Sequence, residues 1–164
     1  MKRLILMRHA KSSWDHPGMS DHERPLNARG IRSAEALGEW LKERNFIPDH
    51  ILSSSSTRTR ETFAKLGLRG DVQWLDRLYH AAPEDMMRAL MQATGETVLM
   101  LGHNPGIAEF AQDVVETAPD HPRFDDYPTG ATLVAVFDID DWSVLEMGTG
   151  RTLAFAVPRE LTGE

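Results

Sequence analysis

An apolar run, Leu4 to Met7, ends abruptly in Arg8 and His9. A second, Thr97 to Leu101, ends in Gly102-His103. A third and shorter one, Ile51-Leu52, leads into Ser53-Ser54-Ser55-Ser56-Thr57-Arg58. An imidazole nitrogen can attack an electrophile or hydrogen-bond an anion, and a guanidinium grips the oxygens of a tetrahedral anion two at a time. Groups of these kinds at one edge of a parallel sheet, where α/β folds bind ligands, would line a pocket suited to a phosphoryl group. Neighbouring helix N-termini would add backbone N–H donors. Each block also has a plainer reading. A histidine after a buried strand is usually a structural hydrogen bonder. Arg58 in a first helical turn opposes the macrodipole unless it meets an anion or solvent. Asn104-Pro105-Gly106 is an ordinary turn. Their conjunction at three strand ends carries the argument.

The elements that must position these groups follow from the spacing of apolar residues. Leu4–Met7 and Thr97–Leu101 are uninterrupted, as strands buried on both faces are. Asn27 caps a helix whose inner face is Ile31, Ala34, Leu37, Trp40 and Leu41. Thr57 opens a second helix through about Leu66, which Gly67 ends. Val72–Leu75 is a short edge strand. Pro83 sits in the first turn of a third helix, with Met86, Met87, Leu90 and Met91 inward. A fourth runs from Ile107 to about Val115. Residues 117–130 are loop, and 132–138 and 144–157 are strands of a hairpin turning at Asp140-Asp141. This alternation predicts the α/β class, a three-layer α/β/α sandwich with a mostly parallel central sheet, in one domain over residues 1–164.

Composition narrows the function. The formal charge of −7 argues against a nucleic-acid partner, although a local cluster of cations can still hold an anion. With no cysteine there is no disulfide, thiolate nucleophile or cysteine-bound zinc. Only four apolar residues follow Met1-Lys2-Arg3, too few for a signal-peptide core or a membrane span. A cytoplasmic protein with no membrane partner is expected. His16 and His22 share a loop with Asp15 and Asp21, but at no usual zinc spacing, and neither a metal nor another cofactor is expected.

The blocks Arg8-His9-Ala10-Lys11-Ser12-Ser13-Trp14, Arg24-Pro25-Leu26-Asn27 with Gly30, Ser54 to Arg58 with Thr62, Gly102-His103-Asn104-Pro105-Gly106 and Pro128-Thr129-Gly130 occur in that order. The ordered set resembles the histidine phosphatase superfamily, also called phosphoglycerate-mutase-like, and within it the small SixA-type phosphohistidine phosphatases. Ala10 stands where the usual opening has glycine. The resemblance implies a phosphoglycerate-mutase-like fold and a catalytic set of four residues. His9 would be the nucleophile that forms a phosphohistidine intermediate. Arg8, Arg58 and His103 would hold the equatorial oxygens, His103 acting best as a protonated donor, with a neutral donor tautomer as the alternative. Lys11, Ser12 and Asn104 would bind substrate.

Two departures from the family pattern bear on the substrate. Asp15 stands where larger members carry asparagine, and it is expected to turn from the phosphate towards a basic group such as Arg24. The segment where many members carry a general acid offers only Glu84 and Asp85. Glu84 is the candidate proton donor, although a place in a first helical turn by itself accounts for both carboxylates. An alkoxide leaving group needs a proton, and a positioned acid contributes about 10²–10⁴-fold. An imidazole accepts a proton easily, so a site without a committed acid favours N–P bonds. The expected substrate is phosphohistidine on a partner protein in a signalling pathway, met by a monomer through an open, shallow site with no lid. The alternatives are a phosphatase of a small phosphomonoester and a non-catalytic phosphate-binding signalling protein on the same scaffold. A mutase would need a more closed pocket.

Overall fold

Alternate residues of the first strand face different cores. In the computed structural model, which describes residues 1–164, the elements in chain order are β1 (Lys2–Arg8), α1 (Ala28–Glu43), β2 (His50–Ser54), α2 (Thr57–Leu66), β3 (Asp71–Leu75), α3 (Pro83–Met91), β4 (Thr97–Gly102), α4 (Gly106–Val114), β5 (Thr132–Phe137), β6 (Arg151–Ala156) and α5 (Pro158–Thr162). Leu4 and Leu6 of β1 and Val98 and Met100 of β4 pack into one core with residues of α3 and α4. Ile5, Met7, Leu99 and Leu101 pack into the other, with residues of α1 and α2. Strands that bury both faces have no polar positions to spare, which is why these two read as continuous apolar runs.

The six strands form one sheet in the order β3-β2-β4-β1-β5-β6. Neighbours from β3 through β1 are parallel, whereas β5 is antiparallel to both β1 and β6. This is the expected sandwich with its mostly parallel sheet. The register sets Arg8 opposite Gly102 and Ser53 opposite Leu101, so the carboxyl ends of β1, β4 and β2 lie side by side. No helix is long and apolar enough to cross a membrane.

Local chemistry fixes the ends of the elements that matter. Asn27 caps α1 by accepting from the Gly30 N–H at 2.8 Å. Ser56, one residue before the expected Thr57, caps α2 by accepting from the Thr59 N–H. Gly67, at φ 69°, ends that helix in the left-handed conformation. The carboxyl-terminal region departs further from expectation. Strand β6 covers only Arg151–Ala156, and a helical turn at Trp142–Val144 replaces the tight hairpin. Trp142 is the cause: it is buried in the core, and its indole N–H donates to the Gly95 carbonyl at 3.0 Å. Helix α5 was not expected either. Pro158 opens it, and Glu160 accepts from the Val157 N–H at 3.1 Å.

Tyr127 ties the loop before β5 to the strand that carries His9. It is fully buried, at φ 46°, and its hydroxyl donates to the Leu6 carbonyl while accepting from the Leu133 N–H. Its own carbonyl accepts from Arg8 Nη1 at 3.2 Å and from Asn104 Nδ2 at 3.1 Å. Removing the hydroxyl leaves two buried backbone groups without this partner. Tyr127→Phe is therefore expected to cost about 2–3 kcal/mol in urea unfolding, and an unchanged midpoint would show that the ladder closes without it.

Candidate active site

His9 leaves β1 buried, with only 5% of its surface exposed. Its Nδ1 lies 2.7 Å from the carbonyl oxygen of Ala10. A carbonyl only accepts, so Nδ1 carries the proton and the Nε2 lone pair is free. Burial first, and then the Arg8, Arg58 and Arg24 guanidiniums, push the imidazole down to about 3. At neutral pH the ring is an uncharged base with a defined tautomer.

The loop that holds His9 is built by its neighbours. The Thr62 hydroxyl donates to the Arg58 carbonyl at 2.7 Å and accepts from the Ala10 N–H at 3.0 Å. The carbonyl of Lys11 accepts from the Asn27 N–H, and the Gly30 Cα packs so closely on it that a Cβ there would overlap it. Thr62 and Gly30 are thus explained by close approach of α2 and α1 to the loop.

His103 follows β4 and is equally buried. Its ring centroid lies 5.2 Å from that of His9. The Ser54 hydroxyl accepts from the Ser56 N–H at 3.3 Å, so its proton is free for His103 Nε2, 2.8 Å away. That leaves the ring proton on Nδ1, a buried atom with no protein partner. Burial first, then the neighbouring His9, Arg58 and His80 side chains, push His103 down to about 2. The expectation of a protonated His103 is corrected in the ligand-free pocket: burial and the Arg58 guanidinium disfavour the charged ring, which leaves the neutral donor tautomer.

Arg58, 4% exposed, is the first-turn cation of α2, and the anion it meets is within the protein. Its Nη2 bonds Asp21 Oδ2 at 3.0 Å and its Nη1 the Asp21 carbonyl at 2.6 Å. The Tyr79 hydroxyl and Arg24 also bond the Asp21 carboxylate. The Tyr79 hydroxyl, then Arg58 and Arg24, hold Asp21 far below the usual carboxylate range. Asp15 does not pair with Arg24 as expected. It is exposed, while Arg24 reaches Ser12 Oγ at 3.0 Å and lies 3.6 Å over the Trp14 ring. Asp21, three residues before Arg24, is the nearer carboxylate.

One pocket of about 220 Å³ is lined by Arg8, His9, Lys11, Ser12, Arg58, His103 and Asn104 among the residues singled out from sequence. Asp21, His80 and Thr129 line it too and were missed as site residues; Thr129 stood only in the Pro128-Thr129-Gly130 block, and Arg58's need for an anion did not say which carboxylate would meet it. Asn104 also has structural bonds, from its Nδ2 to the Asp126 and Tyr127 carbonyls. Glu84 does not reach the pocket. It is exposed on the first turn of α3 and is not among the lining residues, so its expected role as proton donor is corrected. Asp85 instead accepts from the Ala82 N–H at the start of that helix. No three His, Cys, Asp or Glu side chains group as metal ligands would; His22 bonds Ser55 instead. The pocket mouth is open past Trp14, which is 74% exposed, and His80.

A family profile described as "Histidine phosphatase superfamily (branch 1)" matches residues 4–79. An uncharacterized protein of Mycobacterium tuberculosis is 33% identical over 161 residues, which cover 93% of this chain and all of that protein. An uncharacterized chloroplastic protein of Arabidopsis thaliana is 35% identical over 67% of this chain and 57% of its own length. Among solved structures, the protein described as phosphohistidine phosphatase SixA from Nakamurella multipartitia superposes with a TM-score of 0.84 at 27% identity, covering 96% of each chain. Its counterpart from Agrobacterium tumefaciens gives 0.75 at 26%, covering 96% of this chain and 98% of that one.

The two depressed imidazoles set a pH dependence. An unfolded histidine takes up a proton near pH 6.5, whereas the folded His9 and His103 refuse one until about pH 3 and 2. Their contribution to stability is complete above about pH 6.5 and is lost as the pH falls towards those values. By pH 5 the loss is expected to reach at most about 2 kcal/mol per histidine. Urea midpoints measured from pH 7 to 5 should fall, and fall less steeply in His103→Gln; parallel slopes would refute the assignment.

Proposed function

This chain belongs to the histidine phosphatase superfamily, branch 1, and we propose that it hydrolyses phosphoryl groups through a phosphohistidine formed on His9. The observation that carries the reading is a set of donors without acceptors. Arg8 Nε, Arg58 Nε and His103 Nδ1 are three of the four buried side-chain polar atoms that have no hydrogen-bond partner. Leaving such atoms unpaired costs about 1–3 kcal/mol each. All three belong to residues lining the one pocket that also contains His9. An anion with three equatorial oxygens would satisfy them together.

The steps follow from this arrangement. The His9 Nε2 lone pair attacks phosphorus, the N–P bond forms, and the bond to the leaving group breaks in line. The Arg8 and Arg58 guanidiniums and the His103 Nδ1–H stabilise the charge on the oxygens in the transition state. The Ala10 carbonyl stabilises the positive charge that develops on the His9 ring through Nδ1–H. Water then attacks phosphorus, releasing phosphate and restoring the neutral imidazole.

We assign protein phosphohistidine as the substrate. Asp21, the carboxylate lining the pocket, is held ionised and engaged by Tyr79, Arg58 and Arg24, so it has no proton to give an alkoxide. An imidazole leaving group needs a proton less. The open mouth admits a side chain carried on another protein, and the SixA structures described as phosphohistidine phosphatases share the fold. A small phosphomonoester remains the second reading because of His80. This histidine lines the pocket 3.8 Å from Asp21, where an imidazolium could protonate a leaving oxygen.

Acid-labile phosphate is expected on the wild type after rapid quench and not on His9→Ala. Arg58→Ala should lower kcat/KM by about 10²-fold. Phosphohistidine peptides should be cleaved faster than phosphoserine peptides or sugar phosphates. Turnover of the alkyl phosphates that collapses in His80→Gln would favour the second reading. Tight phosphate binding with no turnover of any substrate would refute catalysis.

A further inference from the structure

A second pocket, of about 360 Å³, adjoins the first, and Arg8, Lys11 and Thr129 line both. Its charged lining residues are Arg8, Lys11, Arg29, Arg123, Arg159 and one carboxylate, Asp126. In a chain of net charge −7, five cations around one carboxylate is a local reversal of sign. The positive charges are not all spent within the protein. Arg123 is paired with Asp126 at 2.9 Å, and Arg29 donates to the Glu164 carbonyl. Lys11 and Arg159 have no such partner. Arg159 projects from the first turn of α5, which is held there by Pro158 packed against Gly130, the loop residue whose N–H bonds the His9 carbonyl.

We infer that this pocket is a second anion subsite, and that the substrate carries a phosphate or carboxylate close to the phosphoryl group that is cleaved. The inference rests on the phosphatase reading and deepens it by naming the substrate class. With the phosphoryl group against His9, Arg8 stands between the two anions, its Nη1 held by the Tyr127 carbonyl and its Nε free. Lys11, Arg29 and Arg159 face the second anion. On a phosphohistidine protein that anion is an acidic side chain flanking the histidine; on a small substrate it is a second phosphate or a carboxylate. The chemistry recognised is the same, and the favoured leaving group is one joined to a negative charge.

Binding tests this separately from catalysis. Calorimetry would compare phenylphosphonate with 2-, 3- and 4-carboxyphenylphosphonate, none of which can be hydrolysed. At least one carboxylated ligand is expected to bind the wild type about tenfold more tightly than phenylphosphonate, the gain of one charged hydrogen bond. Arg159→Glu, an exposed charge reversal, and Arg29→Gln should erase that difference and leave phenylphosphonate binding unchanged. Phosphohistidine peptides flanked by glutamates or by glutamines form the second arm, read as KM. A preference confined to the phosphonates identifies a small substrate, and one confined to the peptides identifies a protein. Equal affinities in both arms, or a preference that survives Arg159→Glu and Arg29→Gln, would overturn the subsite. A preference in binding without turnover of any phosphorylated counterpart would instead overturn the phosphatase reading and leave the subsite standing.

Discussion

A single hydrogen bond sets the character of the site. The Ala10 carbonyl takes the Nδ1 proton of His9 at 2.7 Å and so decides which ring nitrogen bears a lone pair. Everything around it keeps that bond in place. Strand β1 is locked between β4 and β5, so the chain leaves the sheet at a fixed point. The Ala10 N–H is held by Thr62 of α2, and the next carbonyl by Asn27 at the start of α1. Helices from one face of the sheet thus clamp the loop that carries His9, while Tyr127 secures the strand beneath it from the other side.

The same cations serve two ends. Arg8 and Arg58 add to the effect of burial in keeping His9 unprotonated, and Arg58 does the same for His103. They are also the groups best matched to phosphoryl oxygens. Crowding positive charge around an imidazole protects its lone pair, and a dianion arriving in the pocket relieves the crowding. Arg8 itself is lowered by burial and then by Arg58, while Asp126 works in the other direction, and Arg58 already meets the Asp21 carboxylate.

The strand ends were legible because chemistry there follows topology. Continuous apolar runs mark strands buried on both faces, and a parallel sheet brings their carboxyl ends to one edge, so Arg8, His9, Arg58 and His103 could be grouped from sequence. Ser54, Thr62 and Gly30 could be noted only as a pattern. Their reasons, a hydroxyl on His103, a clamp on Ala10 and an approach too close for a Cβ, need coordinates. The partner of Arg58 was out of reach, since Asp21 lies 37 residues away, in a short helical turn at Asp21–Glu23, and meets it only through the fold. Glu84 misled because a first-turn acid serves helix stability and catalysis equally well on paper. The Trp142 turn was missed because burial of one large side chain overrode the local preference for strand.

Asp21 occupies both terminal nitrogens of Arg58, one through its carboxylate and one through its backbone carbonyl. The guanidinium therefore has an internal rival for every ligand. A weakly basic monoanion, such as a sulfate ester, offers Arg58 little more than the carboxylate already does. A phosphoryl dianion offers twice the charge. A ligand that reaches those two nitrogens must therefore displace Asp21, whereas the Arg58 Nε has no protein partner to give up.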